Sequence, residues 1–205
     1  MKIITVCPES FGANTYLLIS GSHALVVDPS VSVKAIKNAA LSEGASIEGI
    51  LLTHGHFDHI VSIDTLRSEL GIKAMIHRAD APMLVDGRKN AFFTFFGKDR
   101  TYAPAEILLD NAQTIPLGEE VIEVISTPGH SKGSVCYRCG DIMITGDTLF
   151  SDNIGRCDLW GGDAQELLAS LDKLSTFDQS IKIYPGHGTS AILRNALDNV
   201  SYFRH

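Results

Sequence analysis

Three imidazoles and one carboxylate fall within six residues in the run Thr53-His54-Gly55-His56-Phe57-Asp58-His59. Neutral imidazole is a common ligand for zinc and iron, and a carboxylate adds negative charge and can orient water. Residues two apart in an extended segment point to the same side, so His54 and His56 can grip one ion. Asp58 and His59 follow where the chain turns, and they can face a second position beside the first. The apolar run Gly49-Ile50-Leu51-Leu52 stands directly before the cluster and reads as a buried strand. The loop leaving the C-terminal end of such a strand is where open α/β sheets place their ligands.

Four ligands cannot close two sites with a shared bridge, and the chain offers three more. His130 follows Val121-Ile122-Glu123-Val124-Ile125, Asp147 follows Ile142-Met143-Ile144, and His187 follows Ile181-Lys182-Ile183. A glycine immediately precedes each of the three, and glycine permits tight turns and close backbone approach to a ligand. Taken alone, Pro128-Gly129-His130 would be a turn with an exposed imidazole, and Gly146-Asp147 a turn or helix cap. Repeated after successive strand-like runs, the pattern reads as a rim of metal-binding loops at one edge of a sheet. His23, His77 and His205 stand outside it.

The elements that must hold this rim can be read from periodicity. Residues 3–6, 15–19 and 24–27 read as strands, the last two joined by Gly21-Ser22-His23. Asp28 ends the third strand, where its carboxylate can brace the ligand loops through backbone amides. Val33, Ile36 and Ala40 mark a helix face that stops near Gly44, and Ile60, Ile63, Leu66 and Leu70 mark another that ends at Gly71. A short strand is expected at 73–76. The second half repeats this outline, with strands at 114–115, 121–125, 135–137 and 142–144. A helix follows from about Asp163, with Leu167, Leu171 and Leu174 on one face and Asp163 and Glu166 suited to its first turn. The strand 181–184 and a helix near 191–203 complete the chain. Periodicity by itself supports mixed α/β. The segment 86–105 breaks the pattern with Phe92, Phe93, Phe95 and Phe96. It reads either as core aromatics or as a lid or dimer surface near the metals, where an apolar flap would exclude water.

With these residues in place, the chain resembles the metallo-β-lactamase superfamily, and within it the glyoxalase II-like hydrolases. The resemblance runs from Asn14-Thr15-Tyr16-Leu17-Leu18 and Leu25-Val26-Val27-Asp28-Pro29, through the histidine cluster, to Gly186-His187-Gly188. Gly146-Asp147-Thr148-Leu149-Phe150, Gly155-Arg156-Cys157-Asp158-Leu159 and Gly161-Gly162-Asp163 are similar to the small single-domain branch of that group. The resemblance implies an α/β fold, a four-layer αββα sandwich of two sheets face to face with helices outside, spanning residues 1–205 as one domain. It implies that His54, His56 and His130 hold one metal, that Asp58, His59 and His187 hold a second, and that Asp147 bridges both. The cofactors would be two divalent metal ions, Zn(2+) first and Fe as the other candidate.

Two such ions hold a bridging water and lower its pKa toward 7, giving a nucleophile at neutral pH. Asp58 and Asp147 would fix that hydroxide, and Phe150 and Arg156 are candidate substrate contacts. Arg156 can equally form a structural pair with Asp158. The reaction expected is hydrolysis of an ester-like bond, a thioester of the hydroxyacylglutathione type first, because a thiolate can leave without protonation. Unlike the two-domain glyoxalase II enzymes, this chain has room for only one more helix after His187. It also carries Gly155-Arg156-Cys157-Asp158 in place of their aromatic and basic glutathione-contact run. Persulfide dioxygenases resemble the chain too, and use one iron held by counterparts of His54, His130 and Asp147. Hydrolases of other esters, lactones or phosphoesters are further alternatives. True β-lactamases fit less well, since Asp147 stands where the common class has a metal-binding cysteine.

Composition narrows the partners. The chain has 205 residues, of which 17 are basic and 24 acidic, for a formal charge of −7. No Lys/Arg block offers the basic face a phosphate backbone requires, so nucleic acid is not expected. No apolar run approaches the roughly 20 residues that span a bilayer. Met1-Lys2-Ile3-Ile4-Thr5-Val6-Cys7-Pro8 is too soon interrupted for a signal peptide. The expectation is a cytoplasmic monomer or homodimer acting on a small molecule, with no membrane partner. The four cysteines, Cys7, Cys136, Cys139 and Cys157, are expected as reduced thiols. Cys136 and Cys139 have C-x-x-C spacing, but residues three apart on a strand face opposite sides.

Overall fold

The computed structural model describes residues 1–6 and 12–204, so Cys7 and His205 lie outside the described residues. The apolar runs of the first half assemble into one sheet. β1 (Lys2–Val6), β2 (Thr15–Ser20) and β3 (His23–Val27) form an antiparallel meander. β4 (Ser46–Leu51), β5 (Lys73–His77) and β6 (Ile107–Leu109) then join in parallel, in that order. The second half builds the other sheet. β7 (Thr114–Leu117), β8 (Glu120–Ser126), β9 (Val135–Cys139) and β10 (Ile142–Gly146) are antiparallel in succession. β11 (Lys182–Pro185) pairs parallel with β10, and the two-residue β12 (Ala191–Ile192) closes the edge.

Alternation along β2 shows why two layers of apolar contact are needed. Every residue of Thr15–Ser20 is buried. Leu17 and Ile19 point to one side, into a cluster with Ile36 and Ala40 of α1 (Val33–Ser42) and Ile63 and Leu66 of α2 (Ile63–Leu70). Tyr16 and Leu18 point to the other, against Ile122, Val124 and Tyr137 of the second sheet. Between β5 and β6 lie the short helices α3 (Ala81–Leu84) and α4 (Phe92–Phe96). The second sheet buries its far face, including Cys136, Met143 and Ile183, under α5 (Ala164–Ser175) and α6 (Leu193–Asn199). Helices, sheet, sheet and helices make the expected four-layer αββα sandwich. No helix among the described residues is long and apolar enough to cross a membrane.

Local signals set the ends of the helices. Ser32 caps α1 by accepting the Ala35 N–H, and Gly71 ends α2 in the left-handed region at φ 66°. Asp163 caps α5 by accepting the N–H groups of Gln165 and Glu166 at 2.8 and 3.0 Å. Cys136 and Cys139 face different apolar layers, as their spacing on a strand requires, so they form no pair. Burial pushes both thiols up to about 11. Two elements differ from expectation. The helix expected at 191–203 begins only at Leu193, because Ala191 and Ile192 pair with the edge of β11, and it ends at Asn199 before a 3-10 turn. The strand β6 lies inside a stretch that carries no periodic signal, since Ile107 and Leu108 on this edge are each about a third exposed although apolar.

Candidate metal centre

β8, β10 and β11 run in the same direction, so the loops that follow them open at one end of their sheet. The loop after β4 meets them there. The Val135 N–H donates to the Thr53 carbonyl at 2.9 Å, and the Tyr137 hydroxyl donates to the Leu52 carbonyl at 2.7 Å. These four loops carry all seven candidate ligands, and the structure brings all seven together. Ligand atoms lie within 4.8 Å of one another in three overlapping groups: His54, His56 and His130; His54, His59 and Asp147; and Asp58, His59 and His187.

Hydrogen bonds behind the imidazoles fix which nitrogen faces the centre. Asp28 is buried at the end of β3, with a left-handed φ of 50°. Its carboxylate accepts the Thr53 N–H at 2.8 Å, the Thr53 hydroxyl at 2.7 Å and His59 Nδ1–H at 2.8 Å. The expected brace is therefore present, and it reaches a ligand ring as well as an amide. With its proton given to Asp28, the Thr53 oxygen accepts from His54 Nδ1–H at 3.1 Å. His130 Nδ1–H donates to the Arg156 carbonyl at 2.7 Å. In His54 and His130 the remaining Nε2 thus carries a lone pair aimed inward, and in His59 Nε2 is the nitrogen turned toward Asp147, the arrangement that second-layer partners impose on metal-binding histidines.

These inward atoms crowd one another. His56 Nδ1 lies 2.9 Å from His130 Nε2, which lies 3.2 Å from His54 Nε2. The Nε2 lone pairs of His54 and His130 repel at that distance unless a cation lies among them, and nitrogens about 2 Å from a tetrahedral zinc stand roughly 3.3 Å apart. His59 Nε2 is 3.3 Å from Asp147 Oδ1, and both atoms are buried without a hydrogen-bond partner. His187 Nε2 is 3.2 Å from Asp58 Oδ2 and 3.5 Å from Asp147 Oδ2. Buried polar atoms left without partners are costly, and a divalent cation satisfies them. The donor set therefore fits divalent metal ions.

The charges agree with that fit. Burial, reinforced by the surrounding imidazoles, holds His54 far below the usual histidine range and brings His56 down to about 3. Burial also opposes charge on His59, but Asp147, Asp58 and Asp28 outweigh it and raise that ring well above its usual value. Burial acts to raise Asp147, yet His59, His130 and His187 keep its carboxylate ionised well below the ordinary range. The pocket thus calls for positive charge at its centre.

Glycine is required where loops approach the cluster most closely. A Cβ on Gly186 would stand 2.1 Å from Asp147 Oδ1. Gly129 has φ 132°, and a Cβ there would stand 2.2 Å from the Leu167 amide of α5. Two further positioning residues lie outside the ligand pattern. Asp80, buried just past β5, accepts the Ser131 hydroxyl at 2.6 Å, the Gly133 N–H at 2.7 Å and the Gly55 N–H at 3.2 Å. It ties the loop of His54 and His56 to the loop of His130. Its only sequence signal is its place just beyond a parallel strand, on the same rim as the histidines. Asn14 holds the His187 loop, donating from Nδ2 to the carbonyls of Pro185 and Gly188 at 3.1 and 2.9 Å.

A cavity of about 620 Å³ opens over His56, Asp58, His130, Asp147 and His187, and Phe150 and Arg156 both line it. Arg156 forms the structural pair with Asp158, at 2.6 and 2.7 Å. The phenylalanines of α4 are not core aromatics. Phe95 and Phe96 are 52% and 55% exposed and form one wall of the cavity. His23 lies on the surface against Glu48, and His77 caps the turn after β5, both away from the cluster.

Comparison with known proteins agrees with this geometry. The family model of the Metallo-beta-lactamase superfamily matches residues 9–187. YqgX of Bacillus subtilis (strain 168), described as a probable metallo-hydrolase, is 37% identical over 179 residues, which cover 86% of this chain and 85% of YqgX. The crystal structure of BLEG-1, described as a B3 metallo-beta-lactamase, matches with a TM-score of 0.92 and 31% identity, covering 100% of both chains. That of TTHA1623 in a di-iron-bound form matches with a TM-score of 0.80 and 28% identity, covering 95% of this chain and 96% of its own. With its two layered sheets, its rim of histidine and aspartate loops and a family match along most of its length, the chain belongs to the metallo-beta-lactamase superfamily.

Proposed function

We propose that this protein is a metal-dependent hydrolase of acyl bonds, with thioesters as the first substrate class. In this reading His54, His56 and His130 would hold one divalent cation, Asp58, His59 and His187 would hold a second, and Asp147 would serve both. The observation that carries it is the convergence of the seven ligand side chains, with the Nε2 lone pairs of His54 and His130 aimed inward and His59 Nε2 and Asp147 Oδ1 buried without a hydrogen bond. The bound cations would supply Lewis acidity and an acidified water. The chain's own residues supply the rest. Asp28, Thr53 and the Arg156 carbonyl keep three imidazoles oriented with Nε2 inward. Asp58 and Asp147 both line the cavity, and their carboxylates could accept a proton from an attacking water. The phenylalanine wall limits water around the scissile carbonyl. A thiol leaving group suits such a site, because it departs as thiolate and needs no general acid.

The run Gly146-Asp147-Thr148-Leu149-Phe150 supports the glyoxalase II-like form of the reading, for which S-lactoylglutathione is the first substrate to assay, while Gly155-Arg156-Cys157-Asp158 departs from the glutathione-contact run of those enzymes. The likeness to BLEG-1 favours a second reading, β-lactam hydrolysis. Purified protein loaded with zinc or iron should be assayed on thioesters and on a cephalosporin, with His56→Ala as control. Thioester turnover that His56→Ala abolishes supports the proposal. Turnover confined to the cephalosporin selects the second reading. One ferrous iron per chain, with oxygen uptake on a persulfide, would replace hydrolysis by oxidation.

A further inference from the structure

The wall of the cavity narrows the substrate further, on the reading that the centre hydrolyses acyl bonds. Phe57, Phe95, Phe96, Phe150 and Leu159 line it beside the ligand set. The rings form a preassembled array. Phe57 packs against Phe95 and Phe96 with centroids 5.6 and 5.4 Å apart, and Phe150 stands 6.1 Å from the His187 ring. The segment bearing this wall is tied down, since the Phe57 N–H donates to the Asn90 carbonyl at 3.0 Å and Gly97 closes α4 at φ 64°. Phenyl rings as exposed as Phe95 and Phe96, grouped around a concavity, are the signature of a surface that meets an apolar ligand.

The charge of the cavity agrees. Apart from the ligand residues, Arg156 is the one charged side chain among the lining residues. Its guanidinium is already engaged, bidentate to Asp158 and 5.8 Å from the centre of the Phe95 ring. The two carboxylates of a glutathione carrier would find no free cation on this wall, whereas an alkyl or aryl group would bury its surface against the rings.

We infer that the substrate is an uncharged ester or thioester bearing an extended apolar group beside the scissile bond. Water supplies the new C–O bond to the carbonyl carbon, the C–S or C–O bond to the leaving group breaks, and the products are a carboxylic acid and a thiol or alcohol.

Two series of N-acetylcysteamine-type thioesters test this on the metal-loaded protein. In one the acyl group is lengthened from acetyl to octanoyl, and in the other the acyl group is fixed and the thiol lengthened. In at least one series kcat/KM should rise about fourfold per buried methylene. The Phe95→Ala/Phe96→Ala pair, both exposed positions, should cut the octanoyl-to-acetyl ratio about tenfold. Flat profiles in both series, or S-lactoylglutathione as the best substrate, would overturn the inference while leaving the hydrolase reading intact. Should metal-loaded protein cleave nothing, the hydrolase reading fails and the cavity is judged by calorimetry with non-hydrolysable S-octyl and S-ethyl thioethers. Tighter binding of the octyl compound, lost in the double variant, keeps the apolar assignment, and equal binding overturns it.

Discussion

At the scale of single residues, the centre depends on groups that never touch the middle. Asp28 accepts three hydrogen bonds and thereby decides which nitrogen of His59, and through Thr53 of His54, faces inward. Asp28→Asn keeps the shape but offers only one acceptor oxygen. We expect it to weaken zinc affinity about 10- to 100-fold, as loss of second-layer partners does. Competition with a chromophoric chelator measures this, and unchanged affinity would remove Asp28 from the design. Asp80 is the second such group. Asp80→Ala strips the acceptor from the Ser131 hydroxyl and from the buried amides of Gly55 and Gly133, and should cost about 2–4 kcal/mol in urea unfolding of the metal-free protein. A loss well under 1 kcal/mol would mean that water or relaxation satisfies those donors. The seven ligands were legible because their residue types are rare and their spacing repeats. Asp80 was not, because a lone aspartate after a strand looks like any cap, and its three partners lie in loops distant in sequence.

At the scale of elements, packing holds the loops in place. Gly129 lets the His130 loop lie against the first turn of α5, where Asp163 caps the helix and its N–H donates to the Gly129 carbonyl at 2.8 Å. Gly129→Ala places a methyl group on the Leu167 backbone at a φ that alanine rarely adopts. It should destabilise the fold by about 2 kcal/mol or more and lower activity through displacement of His130. A variant as stable and as active as the parent would show that the loop has room to shift. Elements with a buried stripe and a chemical stop, such as α1, α2 and α5, could be read from sequence almost to their ends. β6 and β12 could not, since each is an edge strand of two or three residues whose identity comes from the neighbour it pairs with. The phenylalanine run has the composition of a core segment. Only the packing of the β4 loop against it turns the rings toward the cavity.

At the scale of the molecule, three apolar layers hold two sheets so that loops more than 130 residues apart in sequence meet at one end. Periodicity gave mixed α/β, because local pattern says where strands form but not which strands pair. The αββα layering was legible only through resemblance. The whole assembly exists, on this account, to hold two neighbouring cations, and counting them is the most direct test. Chelator-treated protein titrated with zinc, followed calorimetrically and checked by elemental analysis, should take up two ions per chain. His187→Ala should take up about one tightly, and the wild-type thermal midpoint should rise with metal as binding to the native state requires. Protein that binds no divalent metal, or whose stoichiometry is the same in wild type, His56→Ala and His187→Ala, would contradict it.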